Sequence, residues 1–144
     1  MKMNDVAIVT GASSGIGLEI SKVLCRLGYE VYGLGRNFQE GTDEWNGRFH
    51  PIVCDLLDTG TLENNIRTIK KEKQVKILVN NAGAGYYGLH EELNPGKIRE
   101  MVRVNLEVPM VLTNLLLRDI KKTQGIIINI SSVTATSSNP HGCA

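Results

Sequence analysis

A glycine-rich turn lies near the start of the chain, between a short apolar run and a helical pattern. It runs from Thr10 to Gly17 with the sequence TGASSGIG. Gly11 can form a turn that a residue with a Cβ would resist, Gly15 lets the backbone approach a pyrophosphate, and Gly17 permits close contact between helix and strand. The N–H groups and the positive dipole end of the helix would face the phosphates. The spacing differs from the common G-x-G-x-x-G fingerprint, but its place between strand and helix predicts a dinucleotide site.

The end of the second predicted strand indicates which dinucleotide the turn would hold. NAD sites of this type carry an acidic residue there, which binds the ribose hydroxyls of the adenosine. Gly35 stands in that place, and Arg36 follows it. A guanidinium can bind a phosphate through two parallel hydrogen bonds, whereas a carboxylate would repel it. The pattern predicts NADP(H), with Ser13 or Ser14 as a further donor to the 2′-phosphate. The alternative is that Arg36 is an ordinary solvated arginine.

Asn105 and Pro109 stand four residues apart in a long helical pattern. In an α-helix the carbonyl of Asn105 would accept a hydrogen bond from the N–H of residue 109, but proline has no N–H and crowds that carbonyl. A released helix carbonyl normally finds a water or a side-chain donor. The sequence therefore predicts an interrupted helix with an available carbonyl at Asn105. The alternative is that Pro109 only kinks a surface helix.

Short β-branched runs alternate with longer helical patterns, which is typical of βαβ units around a parallel sheet. Strands are predicted at Val6–Thr10, Glu30–Gly33, Phe49–Cys54, Lys76–Asn80 and Gly125–Ile130. The last two are apolar on both faces, which favours central strands, whereas the proline in the third favours an edge. We expect one α/β domain over residues 1–144, a Rossmann-type doubly wound parallel sheet of strand order 3-2-1-4-5 that is incomplete at its C-terminal end.

Three helices are predicted between the strands. The first covers Ile16–Leu27 and ends at Gly28, the second covers about Leu62–Lys73, and the third runs from Asn94-Pro95 to about Ile120. In the first helix the residues available to pack on the sheet are Leu18, Val23, Leu24 and Leu27.

Four motifs in this order resemble those of the short-chain dehydrogenase/reductase family. The TGASSGIG turn matches the family's T-G-x-x-x-G-x-G element, and residues 80–83, NNAG, are similar to its N-N-A-G element. Asn105 falls on the helix asparagine of the family, and Ser132 falls on its catalytic serine after the fifth strand. The resemblance spans the whole chain.

The resemblance implies further contacts to the dinucleotide. Asp55 is similar to the family aspartate that accepts a hydrogen bond from the adenine amino group, although a turn aspartate is the alternative. Asn81 resembles an asparagine that mainly ties neighbouring strands together, and Ala82 and Gly83 would leave room for the ribose. The cofactor-binding residues expected are Gly11, Ser13, Ser14, Gly15, Ile16, Gly17, Arg36, Asp55, Asn81, Ala82 and Gly83.

The resemblance also implies the chemistry. In this family a tyrosine exchanges a proton with the substrate oxygen, a lysine lowers the pKa of that tyrosine, a serine holds the carbonyl and an asparagine organises a relay water. Ser132 and Asn105 are the expected catalytic residues, while the Y-x-x-x-K element would begin just after Ala144 and is absent from the chain. Tyr86 and Tyr87 could line the substrate pocket or simply cover a loop.

The expected function is that of an NADP(H)-dependent oxidoreductase, which transfers hydride between nicotinamide and a carbonyl or alcohol substrate. The chain as given is expected to be inactive alone. Two alternatives stay open: a nucleotide-binding remnant without catalysis, and a fragment that pairs with intact homologues through its long helix.

Composition excludes several other functions. Sixteen basic and fifteen acidic residues leave a formal net charge of +1, so neither nucleic acid nor a membrane is expected as a partner. The three cysteines form no C-x-x-C pair and the three histidines have no metal-ligand spacing, so neither disulfides nor a metal site is expected. The N-terminal apolar run is too short for a signal peptide, which favours a cytoplasmic location. A homo-oligomer is expected if a full-length chain exists.

Overall fold

A parallel sheet of five strands carries the other elements of the computed structural model, which describes residues 5–41, 45, 47–137 and 142–143. Numbered in chain order, its strands are β1 (Asp5–Thr10), β2 (Glu30–Gly35), β3 (Phe49–Val53), β4 (Gln74–Asn80) and β6 (Ile126–Asn129). Short antiparallel strands β5 (Tyr86–Tyr87) and β7 (Gly142–Cys143) form a separate pair. The order β3-β2-β1-β4-β6 is the predicted one, and the fold class is confirmed.

Helices connect the strands and cover both faces of the sheet. They are α1 (Gly15–Arg26), α2 (Thr59–Glu72), α3 (Pro95–Val102) and α4 (Val108–Lys122), with a π-helical turn at Arg103–Glu107 and 3₁₀ turns at His90–Glu92 and Val133–Ala135. The chain leaves α1 at Gly28, whose φ of +96° suits glycine. Asp58 caps α2 by accepting a hydrogen bond from the N–H of Thr61 at 3.2 Å, and Asn94 caps α3 in the same way.

The core lies on both sides of β1, every residue of which is buried. Val6 and Ile8 face a cluster completed by α2 and α4, while Ala7 and Val9 face a smaller cluster completed by α1. Alternate residues point to opposite faces because the side-chain period of a strand is two. The apolar run at the start of the sequence is therefore a strand buried between two helical layers.

The buried face of α1 differs from the predicted one. Of the four residues expected to pack on the sheet only Leu24 is buried, and Val23 and Leu27 are exposed. The helix instead presents Gly17, Ser21 and Cys25 to the sheet beside Leu24. The hydroxyl of Ser21 is satisfied by the carbonyl of Gly17 at 2.8 Å, so small residues let the helix lie close without leaving a buried donor unpaired.

Strand β6 lies at an edge of the sheet in the described part of the chain, where the predicted strand order puts the fifth strand, although its apolar sequence favoured a central position. It pairs with β4, and only Ile127 packs against the larger core cluster. Ile126 is 56% exposed and Ile128 is 39% exposed. Apolarity on both faces predicts two covering layers, but α4 covers one of them. The opposite edge is β3, which contains Pro51 as predicted.

Replacing Leu78 in β4 with alanine tests the position of the core. Leu78 is fully buried between β1 and the helices, so Leu78→Ala should lower the free energy of unfolding by about 2–5 kcal/mol. The matched control is Leu117→Ala on α4, where the side chain is 38% exposed and a smaller loss is expected. Urea denaturation measures both, and equal losses would contradict the assignment of the core.

Candidate functional site

Two hollows open at the carboxyl ends of the parallel strands, one on each side of the loop that follows β4. The turn pocket, of about 440 Å³, is lined by Gly11, Ser13, Ser14, Arg36 and Asp55 among others. The serine cleft, of about 910 Å³, includes Ile16, Asn105 and Ser132 in its lining. Asn81, Ala82, Gly83, Ala84 and Tyr86 border both hollows and form the wall between them. The wall follows β4 next to β1, where the order of the sheet reverses, which is where open α/β sheets bind ligands.

The glycine turn is shaped by contacts that leave no room for side chains. Gly11 has a φ of +63°, and a Cβ there would lie 2.9 Å from Nδ2 of Asn81. A Cβ on Gly17 would collide with the carbonyl of Gly11 and with the Asn81 side chain. Gly15 also has a positive φ, +56°, but open space lies beside it. Gly15 and Gly17 line neither the turn pocket nor the serine cleft.

The first turn of α1 points its backbone donors out of the helix. Ser14 is the N-cap residue and its side chain makes no capping hydrogen bond. The N–H of Leu18 bonds to the carbonyl of Ser14, so the N–H groups of residues 15–17 precede the first helical hydrogen bond. These donors and the helix dipole favour an anion at this end of the helix.

Thr10 and Asn81 fasten the wall to the glycine turn. The hydroxyl oxygen of Thr10 accepts hydrogen bonds from the N–H groups of Asn81 at 3.0 Å and of Ala82 at 2.9 Å. The amide of Asn81 donates to the carbonyls of Thr10 at 3.1 Å and Gly11 at 3.2 Å. Asn81 thus makes the contacts of a structural tie, the role that the resemblance implied. Thr10, which is only 2% exposed, ties β1 to the wall in the same way. The sequence motif did not indicate this role for Thr10.

The turn pocket combines one exposed cation with two acids. Arg36 follows β2 and borders the pocket with Ser13 and Ser14. Asp55 accepts a hydrogen bond from the N–H of Leu57 at 3.0 Å through Oδ1, which is the turn role considered as its alternative. Asp55 nevertheless lines the pocket, as does Glu100 of α3, which the sequence did not indicate. Arg36 is the one cationic side chain in the described lining of the turn pocket.

The helix that contains Pro109 is interrupted, as predicted. The N–H of Val108 bonds to the carbonyl of Arg103, five residues back, in the π-helical turn at Arg103–Glu107. The single helix expected up to about Ile120 is therefore two helices, α3 and α4, joined by a wider turn. Because Pro109 offers no N–H to the carbonyl of Asn105, an α-helical bond cannot form there, and a π-helical turn relieves the mismatch.

The side chain of Asn105 binds the wall in a way that the sequence did not indicate. Its Oδ1 accepts a hydrogen bond from the N–H of Ala84 at 2.8 Å, and its Nδ2 donates to the carbonyl of Ala84 at 2.7 Å. The amide pairs with the loop as a neighbouring strand would. Asn105 thus belongs to the π-helical turn, bonds to the wall and lines the serine cleft.

Ser132 lies at the start of the 3₁₀ turn and lines the serine cleft. Its hydroxyl oxygen accepts hydrogen bonds from the N–H of Thr134 at 3.2 Å and from the hydroxyl of Thr134 at 2.9 Å. A serine hydroxyl has two acceptor positions and one donor hydrogen. With both acceptor positions used, the group that Ser132 offers a ligand is its hydrogen. Thr134 orients this serine, and no spacing in the sequence singled it out.

Tyr86 borders both hollows and is held by a lysine. Nζ of Lys97 lies 3.5 Å from the phenol oxygen and 4.8 Å from the centroid of the ring. The hydrogen bond with Tyr86, followed by the charge of Glu100, raises the pKa of Lys97. Of the two roles considered for Tyr86, the structure therefore favours a place in the lining.

In the part of the chain that the structure describes, no three His, Cys, Asp or Glu side chains gather where they could hold a metal ion. No described helix has the length and apolarity needed to cross a membrane. Cys54 lines the turn pocket, and burial raises the pKa of its thiol, which keeps it protonated and weakly nucleophilic.

Replacing Asn105 with alanine should release the wall from the π-helical turn. Asn105→Ala removes both hydrogen bonds to Ala84, at an expected cost of about 1–2 kcal/mol of unfolding free energy. Hydrogen exchange of the Ala84 amide should accelerate more than that of amides in β1. Asn114→Ala, an exposed position on α4, is the control and should leave the Ala84 amide unchanged. Unchanged exchange in the Asn105 variant would contradict the pairing.

The sequence of this chain is similar to those of known proteins. Residues 5–144 match the family model of the short chain dehydrogenase. The chain is 31% identical to an NADPH-dependent 3-dehydrocapnine reductase of Ornithobacterium rhinotracheale, over 93% of this chain and 51% of that protein. It is 32% identical to a 3-oxoacyl-(acyl-carrier-protein) reductase of Buchnera aphidicola, over 92% of this chain and 57% of that protein.

A solved structure with the same fold is that of an alcohol dehydrogenase from the archaeon Thermococcus sibiricus complexed with 5-hydroxy-NADP. It has a TM-score of 0.85 and 27% identity, and covers 96% of this chain and 62% of that one. The chain therefore spans only about half to three-fifths of the length of these relatives.

Proposed function

Because the chain belongs to the short-chain dehydrogenase family, we propose that it binds NADP(H) across the turn pocket and the serine cleft. In this proposal it forms part of an oxidoreductase that transfers hydride between nicotinamide and the carbonyl or alcohol group of a small molecule. The observation that carries the proposal is the turn pocket, where Arg36, Ser13 and Ser14 line one hollow beside the glycine turn.

The two hollows suit the two halves of an extended dinucleotide. The adenosine half would lie in the turn pocket, with Asp55 near its base and Arg36 near its ribose. The nicotinamide half would lie in the serine cleft, against Ala82 and Gly83 in the shared wall. The pyrophosphate would cross the first turn of α1, where the N–H groups of residues 15–17 precede the helical ladder.

Arg36 and Gly35 support the 2′-phosphorylated form of the cofactor. The guanidinium can bind the phosphate through two hydrogen bonds, and Ser13 or Ser14 can add a hydroxyl. No acidic side chain stands at position 35 to bind an unphosphorylated ribose. Two of the similar proteins agree with this form, since one is called NADPH-dependent and one solved structure is complexed with 5-hydroxy-NADP, whereas another solved structure is complexed with NAD.

Ser132 is proposed to hold the substrate oxygen. When bound, the nicotinamide donates or accepts the hydride. A carbonyl that accepts hydride would develop negative charge on its oxygen, and a donor fixed beside that oxygen would lower the barrier. The Ser132 hydroxyl already accepts two hydrogen bonds from Thr134, which orients its hydrogen and strengthens it as a donor. The carbonyl of Asn105, which has no α-helical partner at Pro109, is proposed to hold a water that relays protons.

A proton must also reach the substrate oxygen, and this requires an acid. Residues 133–144 contain neither tyrosine nor lysine. Ser132 can donate a hydrogen bond, but a serine hydroxyl is too weak an acid to supply the proton efficiently. We therefore propose that the 144 residues alone bind the cofactor and do not turn over a substrate.

The coenzyme preference can be measured on the chain itself. NADPH should bind at least about tenfold more tightly than NADH, because charge-assisted hydrogen bonds to the 2′-phosphate contribute about 1.5–3 kcal/mol each. Arg36→Ala should remove most of this difference, while Arg118→Ala, on α4 and in neither hollow, should keep it. Calorimetric titration measures all six affinities. Equal affinity of the unchanged chain for both coenzymes would refute the NADP(H) assignment.

Catalysis can be tested by adding the missing acid. The 144-residue chain with NADPH should reduce ketones and 3-oxoacyl thioesters at rates near background, because a general acid or base typically contributes about 10²–10⁴-fold. Fusion to the C-terminal half of a related reductase should produce NADPH oxidation, which is followed by absorbance. Ser132→Ala in the fusion should lower kcat by about 10²-fold or more. Rates of a complete enzyme in the unfused chain would contradict the proposal.

A further inference from the structure

Two separate elements that line the turn pocket are joined by an arginine. Asp55, Leu56 and Leu57 line the pocket from the segment between β3 and α2, and Val104 lines it from the π-helical turn. The guanidinium of Arg103 donates a hydrogen bond to the carbonyl of Leu57 at 2.6 Å, across 46 residues of sequence. This hydrogen bond therefore sets how far apart the two elements stand.

The carbonyl of Leu57 belongs to a turn that Asp55 organises. The N–H of Leu57 bonds to Oδ1 of Asp55 at 3.0 Å, and the N–H of Asp58 bonds to the carbonyl of Asp55 at 3.0 Å. Because the carbonyl of Leu57 and the N–H of Asp58 belong to one planar peptide group, Arg103 and Asp55 hold that group from its two ends. A movement of the Leu57 carbonyl would therefore be transmitted to Asp55.

The side chain of Arg103 is directed by its own neighbours. Its Nε lies 3.6 Å from Oε2 of Glu107, and its backbone N–H bonds to the carbonyls of Arg99 and Glu100 at the end of α3. A guanidinium has several N–H donors, so it can face a carboxylate and bind a carbonyl at the same time. Because the donor is charged, the hydrogen bond to Leu57 is stronger than one between neutral groups.

The turn at Asp55 has other contacts that keep it folded. Leu56 packs against the larger core cluster and Asp58 caps α2, and neither contact involves Arg103. Loss of the arginine should therefore change the position of the turn more than the stability of the chain.

We infer that Arg103 is a positioning residue for the adenosine half of the dinucleotide, because it fixes the turn at Asp55 at a set distance from the π-helical turn. This inference rests on the proposed function. Arg103 does not itself line the turn pocket, so it acts through Leu57 and Asp55. Its effect should be confined to ligands that reach the turn at Asp55.

The two halves of the cofactor, used as separate probes, test the inference. The probes are 2′,5′-ADP for the adenosine half and reduced nicotinamide mononucleotide for the other half, and NMR titration of the chain gives both affinities. Arg103→Met removes the guanidinium and keeps an unbranched apolar side chain. It should weaken 2′,5′-ADP about tenfold and change the affinity for the mononucleotide by less than about twofold.

Two further variants serve as controls. Arg103→Lys keeps a charged donor and should weaken 2′,5′-ADP less than Arg103→Met does. Arg99→Met removes a positive charge from an exposed position on α3 and should leave both affinities unchanged. Equal weakening of the two probes by Arg103→Met, or equal effects of Arg99→Met and Arg103→Met, would overturn the inference. An Arg103→Met chain that does not fold would do the same, because the role would then be structural.

A double-mutant cycle tests whether Arg103 acts through Asp55. In a chain that already carries Asp55→Ala, Arg103→Met should weaken 2′,5′-ADP by less than about twofold, because residues in one network are not additive. Losses that add in full would contradict the inference.

Hydrogen exchange keeps the inference testable if the unchanged chain binds neither probe, a result that counts against the proposed function. The amides of Leu57 and Asp58 should exchange faster in Arg103→Met than in Arg99→Met, whereas the amides of β1 should exchange equally in both. Unchanged exchange at Leu57 and Asp58 would show that Arg103 does not position the turn.

Discussion

The close packing of the glycine turn between β2 and the wall is the constraint on which the rest of the site depends. The turn can lie between β2 and the wall only because Gly11 and Gly17 have no Cβ to collide with Asn81, and because Gly35 leaves space for Ser13. Hydrogen bonds from Thr10 and Asn81 then fix its distance from the wall. These contacts fix the position of the first turn of α1. The direction of its N–H groups is therefore a consequence of packing among small residues.

A second constraint arises from a missing donor. Pro109 cannot supply the N–H that an α-helix requires, and the chain responds with a π-helical turn at Arg103–Glu107. In that turn the Asn105 side chain pairs with both backbone groups of Ala84. The same wall is thus held from one side by Asn81 and from the other by Asn105. Two asparagine amides position the surface that divides the turn pocket from the serine cleft.

The coenzyme preference proposed for the chain depends on one charged side chain. Arg36 is exposed and lines the turn pocket with Ser13 and Ser14. The attraction proposed between its guanidinium and a phosphate would act through solvent-exposed charge, and such an attraction is weakened by salt. The fold places Arg36 beside the glycine turn because β2 ends next to the turn that follows β1.

The sequence by itself determined the parallel sheet, its strand order, the helix interruption at Pro109 and the motifs that identify the family, because these follow from local periodicity, from proline chemistry and from ordered motifs. Only the tertiary structure decided which face of α1 is buried and how much of β6 is left exposed in the described sheet. It also revealed the partners of Asn105 and Ser132, of which Ala84 is 21 residues away in sequence. Such contacts join side chains to backbone groups on separate elements, and no local pattern records how closely two elements approach.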